Sequence, residues 1–236
     1  MTMPSIVEMS GVVRNYSGLR PLRIASLSVA PGERVVLAGI DAGGAEVFLN
    51  LVTGASLPDE GEVRVFGKLT AEVDNGDDWL ASLEAFGIVS NRAVLLEGAT
   101  VAQNLALPLT LDIDPLSAKT LTDVHALAAE CDIAAPWLEQ RAGDVPAELR
   151  ARLHLAKAIA LGPRLLLMEH PTAALDEPSR AEYGTVVARV CEQRGLTLIA
   201  VSQDAAFSAS VAGRSLTLQP ATGQLVVARR SWWSRR

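Results

Sequence analysis

An α/β fold built on a mainly parallel sheet is what this 236-residue sequence predicts. Three observations predict it. Short apolar runs of strand length alternate with longer segments of helical period. One of those runs, Val35–Ala38, feeds a glycine-bracketed loop that opens a helix-like segment, the whole reading VVLAGIDAGGAEVFLNLVTG from Val35 to Gly54. Finally, the stretch from Leu116 to Leu161 carries helical patterning alone. A composition of 49% hydrophobic and 20% charged residues is that of a folded globular chain.

Taken in order, residues 4–13 and 22–29 are short β-rich runs, and Pro31–Glu33 is a turn. After the strand at Val35–Ala38, the helix is expected over Glu46–Val52, with Gly54 as its C-terminal cap. Glu62–Phe66 alternates as a strand, Val73–Asp78 reads as an acidic surface turn, and Ile88–Ser90 is a short strand. Thr100 is placed to cap a helix that ends before Pro108. Helices follow at Ser117–Glu130, around Trp137, and at Glu148–Leu161, where Leu149, Leu153, Ala156 and Ala160 recur at three- and four-residue steps. Leu165–Glu169 is a strand. Pro178–Arg194 is a helix with proline in its first turn. Leu196–Val201 is a strand, Ala205–Val211 a helix, and Ser215–Leu218 with Gln224–Ala228 the terminal strands.

The net charge of −6 argues against a nucleic-acid partner, which requires a basic face. Cys131 and Cys191 stand far apart in helical segments and read as buried free thiols of a reducing compartment. No run of 18 apolar residues and no basic-then-apolar start is present, so a cytoplasmic chain without a membrane span or signal peptide is expected. The tail, Ala228–Arg236, pairs Trp232 and Trp233 with arginines, a pattern suited to an anionic membrane surface, to a disordered terminus, or to tryptophans folded back on an apolar patch.

The loop after Val35–Ala38 has the spacing of G-x-x-x-x-G-K-[ST], in which loop amides cradle phosphates, the Lys reaches them and the hydroxyl holds Mg²⁺. Gly39, Gly43 and Gly44 are present, but Ala45 stands at the Lys position and Glu46 at the hydroxyl position. Ala45 offers no cation. A carboxylate about 4 Å from one phosphate charge costs roughly 4 kcal/mol at an effective dielectric of 20. Glu46 is then read as the anion favoured by the helix end. Were the loop geometry kept, Ala45→Lys with Glu46→Ser would restore nucleotide affinity.

Further along, Arg152–Asp176 reads RLHLAKAIALGPRLLLMEHPTAALD. With the glycine loop, LVTGASLPDEGEVRVFGK, TVAQNLALPL and VSQD in the same order, it resembles the ATP-binding cassette (ABC) ATPases from Tyr16 to about Leu218. The resemblance implies a RecA-like α/β core with an antiparallel β part and an inserted α-helical subdomain. Assigned on this sequence, the core is 1–90 and 162–228, the helical subdomain about 91–161, and the tail 229–236.

The family's functional positions are filled as follows. Tyr16 falls where an aromatic stacks on adenine, or is a half-buried strand tyrosine. Asn91 replaces a Gln that contacts metal and water, one methylene shorter. Val145-Pro146-Ala147-Glu148-Leu149 stands at LSGGQ, the motif that closes over the phosphate of a second cassette. Its glycines are gone, and the segment reads as an ordinary helix start capped by Asp144. Glu169 is at the metal-holding Asp. His170 is at the water-polarising Glu and reads either as a general base or as a hydrogen-bonded structural histidine. Gln203 is at a phosphate-contacting His. Asp176 keeps a subunit-contact aspartate, which with Val145, Pro146, Ala147 and Glu148 implies a homo- or heterodimer with another cassette.

Together these departures imply an ATPase-deficient subunit, structural or regulatory, docked on a membrane permease and peripheral to the plasma or inner membrane. No metal site and no cofactor are expected, with ATP and Mg²⁺ bound at most weakly. Two alternatives remain: an active ATPase with rearranged chemistry, and a soluble interaction module without a permease.

Overall fold

The computed structural model describes residues 5–72, 76–90 and 92–227. Asn91 and the tail, with Trp232 and Trp233, lie outside the described residues. Two sheets form. The smaller is antiparallel, in the order β2-β1-β4-β5, from β1 (Val7–Arg14), β2 (Leu22–Val29), β4 (Glu60–Val65) and β5 (Lys68–Leu69). In β1, Val7, Met9 and Val12 are buried while Glu8 and Ser10 are exposed, the two-residue period of a half-buried strand. A register shift falls between Ser10 and Val13, where Gly61 of β4 packs so tightly that a Cβ would sit 2.4 Å from the Gly11 carbonyl.

The larger sheet has six strands ordered β10-β9-β3-β8-β7-β6. They are β3 (Arg34–Ala38), β6 (Phe86–Val89), β7 (Leu165–Glu169), β8 (Thr197–Val201), β9 (Arg214–Gln219) and β10 (Gln224–Val227). All pairings are parallel except β9 with β10. Strands β7 and β8 are buried at every residue, because helices or the second sheet cover both faces.

Period two divides the side chains between two cores. Val35, Leu37, Leu165, Leu167, Ile199 and Val201 point to one face, where they pack with α1 (Ala42–Val52) and the antiparallel sheet. Val36, Leu166, Met168, Leu198 and Ala200 point to the other. There they meet α3 (Val101–Ala106), α4 (Ala118–Glu130), α5 (Ala147–Ile159), α6 (Glu177–Arg194) and α7 (Ala205–Val211). Cys131 and Cys191 are free and buried in this second core, which pushes both thiols up to about 12.

Several local expectations need correction. Helix α1 begins at Ala42, four residues before Glu46, because Asp41 caps it. A helix, α2 (Gly76–Leu83), begins inside the stretch read as an acidic turn. Helix α5 is preceded by Pro146 with no side-chain cap, so Asp144 does not serve. It buries Leu155 and Ile159 besides Leu149, Leu153 and Ala156, whereas Ala160 is half-buried, since the helix is covered on two sides. Thr100, by contrast, caps α3 in a full capping box with Gln103, and Asp176 caps α6 with Pro178 in its first turn.

Parallel pairing brings the ends of the central strands to one edge. Leu37 is level with Val201, Val201 with Glu169, and Met168 with Val89. The segments that follow, at Gly39, Gln203, His170 and Ser90, therefore open along the same edge, the usual place for a ligand in such sheets.

Candidate functional site

At the end of β3, Gly39 has φ of +81°, and a Cβ there would lie 2.7 Å from the Leu218 carbonyl oxygen. Only glycine makes that turn without strain. The Gly39 N–H donates to Gln203 Oε1 at 3.3 Å, and Gln203 Nε2 donates to the Ile40 carbonyl at 3.1 Å. Gln203 thus closes the start of the loop on itself.

Asp41 then turns the chain into α1. Its Oδ1 accepts the Gly44 N–H at 2.7 Å, and its carbonyl accepts the Ala45 N–H at 2.8 Å. An aspartate at this position completes unpaired donors of the first turn and places its negative charge at the positive end of the helix. Tyr16 lies across the same turn. Its hydroxyl donates to Asp41 Oδ1 and Oδ2 at 3.1 and 3.2 Å, and a Cβ on Gly43 would come within 3.1 Å of its ring. Burial and the neighbouring Asp41 carboxylate both raise the Tyr16 pKa. Tyr16 sits in the loop after β1, half-buried, and is not a strand residue.

Ala45 is fully buried among the apolar side chains around Phe48 and Leu49. Glu46, one residue on, is neither the helix cap nor in its first turn. It pairs instead with Arg92 Nη1, while Arg92 Nη2 reaches Glu169 Oε2 at 3.3 Å. Glu169 ends β7 and is nearly buried, with its side chain 10% exposed, whereas Glu46 and Arg92 are about half exposed. One guanidinium thereby joins the carboxylate after the glycine loop to the carboxylate at the end of β7.

His170 follows Glu169 with φ of +43°, an uncommon conformation for a residue with a Cβ. Its N–H donates to the Val201 carbonyl at 2.8 Å, but its Nε2 is buried without a hydrogen-bond partner. The hydrogen bond of His170 to Val201 is thus made by its backbone, while the imidazole Nε2 has none. Beyond it, Thr172 and Arg180 both contact Asp204, at 3.4 and 3.3 Å, which ties the turn after β7 to the cap of α7.

The segment from Val145 to Glu148 lies at the start of α5, and its Val145 and Ala147 line the same cleft as Glu169. Val145 is buried, Pro146 and Ala147 are exposed, and Glu148 accepts from the Ser179 hydroxyl of α6 at 3.4 Å. Asp176 accepts the Ser179 N–H at 3.1 Å, and those Ser179 contacts hold its carboxyl below the usual range. A cleft of about 630 Å³ runs between α5 and the strand ends, lined by Val94, Leu95, Ala151, His154, Glu169 and Leu175. Burial beside Lys157 and Arg150 lowers the His154 pKa.

The structure brings together Tyr16, Gly39, Gly43, Gly44, Glu46, Glu169 and Gln203, and keeps Ala45 inside the core. Two residues that sequence reasoning passed over complete the site. Asp41 was visible as an N-cap residue three positions before a glycine. Arg92 had no motif to mark it.

As arranged, these groups do not fit a magnesium nucleotide. The Gly44 and Gly39 amides are already satisfied by Asp41 and Gln203, Ala45 stands at the lysine position, and a guanidinium fills the gap between Glu46 and Glu169. Among the described residues, no group of three or more histidine, cysteine or acidic side chains is placed to hold a metal.

Comparison with known proteins places the chain. Residues 22–173 match the family model described as ABC transporter. The chain is 28% identical over 94% of its length to the Fe(3+) ions import ATP-binding protein FbpC of Pseudomonas fluorescens, covering 60% of that protein. It is 31% identical over 88% of its length to the macrolide export ATP-binding/permease protein MacB of Photorhabdus laumondii, covering 32% of it. The chain thus spans three fifths or less of these relatives. In fold it is similar to cbiO1 from Clostridium perfringens, part of the ABC transporter complex cbiONQ, with a TM-score of 0.78, 17% identity, and coverage of 94% of this chain and 87% of that one. The α/β core, the antiparallel sheet and the helices between β6 and β7 are those of an ATP-binding cassette, and the chain belongs to the ABC transporter family.

Proposed function

We propose that this chain is an ATP-binding-subunit homologue that does not hydrolyse ATP and acts as a structural or regulatory subunit of a transporter. One observation carries the proposal: the Asp41 carboxylate takes the Gly44 amide that would meet a phosphate. A phosphate entering there must displace a capping carboxylate worth about 1 kcal/mol to the helix, and it does so with no lysine to receive it. In this picture the core, 1–90 and 162–228, carries a helical subdomain over about 91–161. The exposed Pro146, Ala147 and Asp176 face a second cassette. The printed name of MacB, an ATP-binding/permease protein, supports a membrane permease as the other partner. In this proposal the chain sits on the cytoplasmic side of the membrane, and Trp232 and Trp233 of the tail meet an anionic lipid surface.

The test is an equilibrium titration of the chain with Mg·ATP, with phosphate release followed in parallel. No saturable binding below about 1 mM, a free energy weaker than roughly 4 kcal/mol, is expected, and no release. One feature favours the second reading, an active ATPase: the unpartnered Nε2 of His170 beside Glu169, with the strained backbone common at reactive sites. Submillimolar binding with turnover abolished by His170→Ala establishes that reading and removes the first. Co-purification with an integral membrane subunit separates both from a soluble interaction module.

A further inference from the structure

We infer that Arg92 is a resident cation that takes the place of a divalent metal between Glu46 and Glu169, an inference that rests on the non-hydrolysing reading of the same site. The starting point is how Arg92 comes to be there. Strand β6 lies beside β7, with Val89 level with Met168, so the chain leaves β6 one residue short of the level of Glu169. A turn follows at once. The Ala93 N–H donates to the Ser90 carbonyl at 3.1 Å, and the Arg92 N–H donates to the Ser90 hydroxyl at 3.3 Å. This turn holds the Arg92 backbone beside the strand ends, and its side chain reaches both carboxylates at once.

The two acids come from different elements, Glu46 from α1 and Glu169 from the end of β7. Two carboxylates converging on one gap repel each other unless a cation stands between them, and the nearly buried Glu169 has the greater need of one. A divalent ion answers that need in a hard oxygen site, at short range and with open positions for further oxygen ligands. A guanidinium answers it with one charge, a planar fork and no open position. Its charge belongs to the chain, so the gap is partly neutralised with nothing drawn from solution. The residual charge of the triad is one negative, and the same gap then offers a polyphosphate neither a metal nor a net positive field. Arg92 also joins the loop after β6 to α1 and β7, a link held by the chain itself.

The experiment uses Mn²⁺ alone, without nucleotide, so that it is independent of the titration above. Free and bound Mn²⁺ are measured by electron paramagnetic resonance with the unsubstituted chain, Arg92→Gln, Arg92→Lys, and Arg92→Gln combined with Glu46→Gln. Removing the one positive partner that the two carboxylates have among the described residues is expected to raise Mn²⁺ affinity by about tenfold or more, discounted for the half-exposed position. Arg92→Lys, which keeps a cation, is expected to show no gain, and the added Glu46→Gln to abolish the gain of Arg92→Gln. Arg92 is half exposed, so the single variants fold, and circular dichroism checks this. Equal Mn²⁺ affinity in the unsubstituted chain and Arg92→Gln overturns the inference, as does a gain that survives Glu46→Gln. ATP hydrolysis by the unsubstituted chain with the Mn²⁺ gain still present overturns the non-hydrolysing reading and leaves the assignment of Arg92 standing.

Discussion

At position 45 the difference between a phosphate loop and this loop is one side chain with no exposed surface. Ala45 lies on the buried face of α1, in the same apolar core as Phe48 and Leu49, so a longer side chain there must find room in a filled core before it can turn toward the loop. Ala45→Lys is therefore expected to lose stability, by about 2–4 kcal/mol in urea denaturation, since it forces an ammonium and four methylenes into a filled core. Combining it with Glu46→Ser is expected to bring no nucleotide affinity, because Asp41 still holds the Gly44 amide. Unchanged stability with submillimolar binding of ATP would show that the loop relaxes to the spacing its glycines suggest. The same residues mark the limit of legibility. Ala45 and Glu46 were read as standing at the lysine and hydroxyl positions of the loop. That Ala45 points inward and Glu46 pairs with Arg92 depends on where α1 begins, which the capping aspartate decides and the glycine spacing does not.

At the scale of elements, strongly periodic segments were legible and their ends were not. Strands β7 and β8 and helices α4 and α6 announced themselves through unbroken apolar runs, the helical pattern from Ser117 to Glu130, and Pro178 in a first turn, while the caps Ser117 and Asp176 appear only in the structure. Helix α2 did not, because GDD at its start carries the same acidic and glycine residues that mark turns. Nothing local in the sequence tells that three helices meet at Arg194. Its Nε and Nη2 hold Glu130 at the end of α4 at 2.5 and 2.6 Å, and its Nη1 donates to the Ile159 carbonyl at the end of α5 at 2.7 Å. The Glu130 carboxylate in turn keeps the guanidinium charged. A bidentate pair of this kind, partly screened from water, is worth more than an exposed one. Arg194→Met is expected to cost about 2 kcal/mol, and hydrogen exchange at the C-terminal turns of α4 and α5 is expected to rise before that of β7. Uniform exchange across all three would mean that the helices are held by their apolar faces alone.

For the whole molecule, the consequence is a fold that completes its own nucleotide edge. Both cores share the central sheet, and the edge where β3, β6, β7 and β8 end is closed by contacts within the chain: Gln203 with Gly39 and Ile40, Asp41 with Gly44, and Arg92 with two acids. In a cassette that binds ligand at this edge, binding is linked to folding. A site with a dissociation constant near 0.1 mM, given about 10 mM Mg·ATP, would add roughly 2.7 kcal/mol to the folded state. For a chain of this size that is a rise of roughly 5–10 °C in melting temperature. Here the donors and the cation are supplied internally, so their stabilisation is present without ligand. A change below about 1 °C is expected in a calorimetric scan at matched ionic strength and magnesium. The control is matched because added salt alone weakens the half-exposed Arg92 pairs. A rise of several degrees with Mg·ATP, absent with magnesium or ATP alone, would mean that the edge opens to ligand and that the internal contacts only hold it until one arrives.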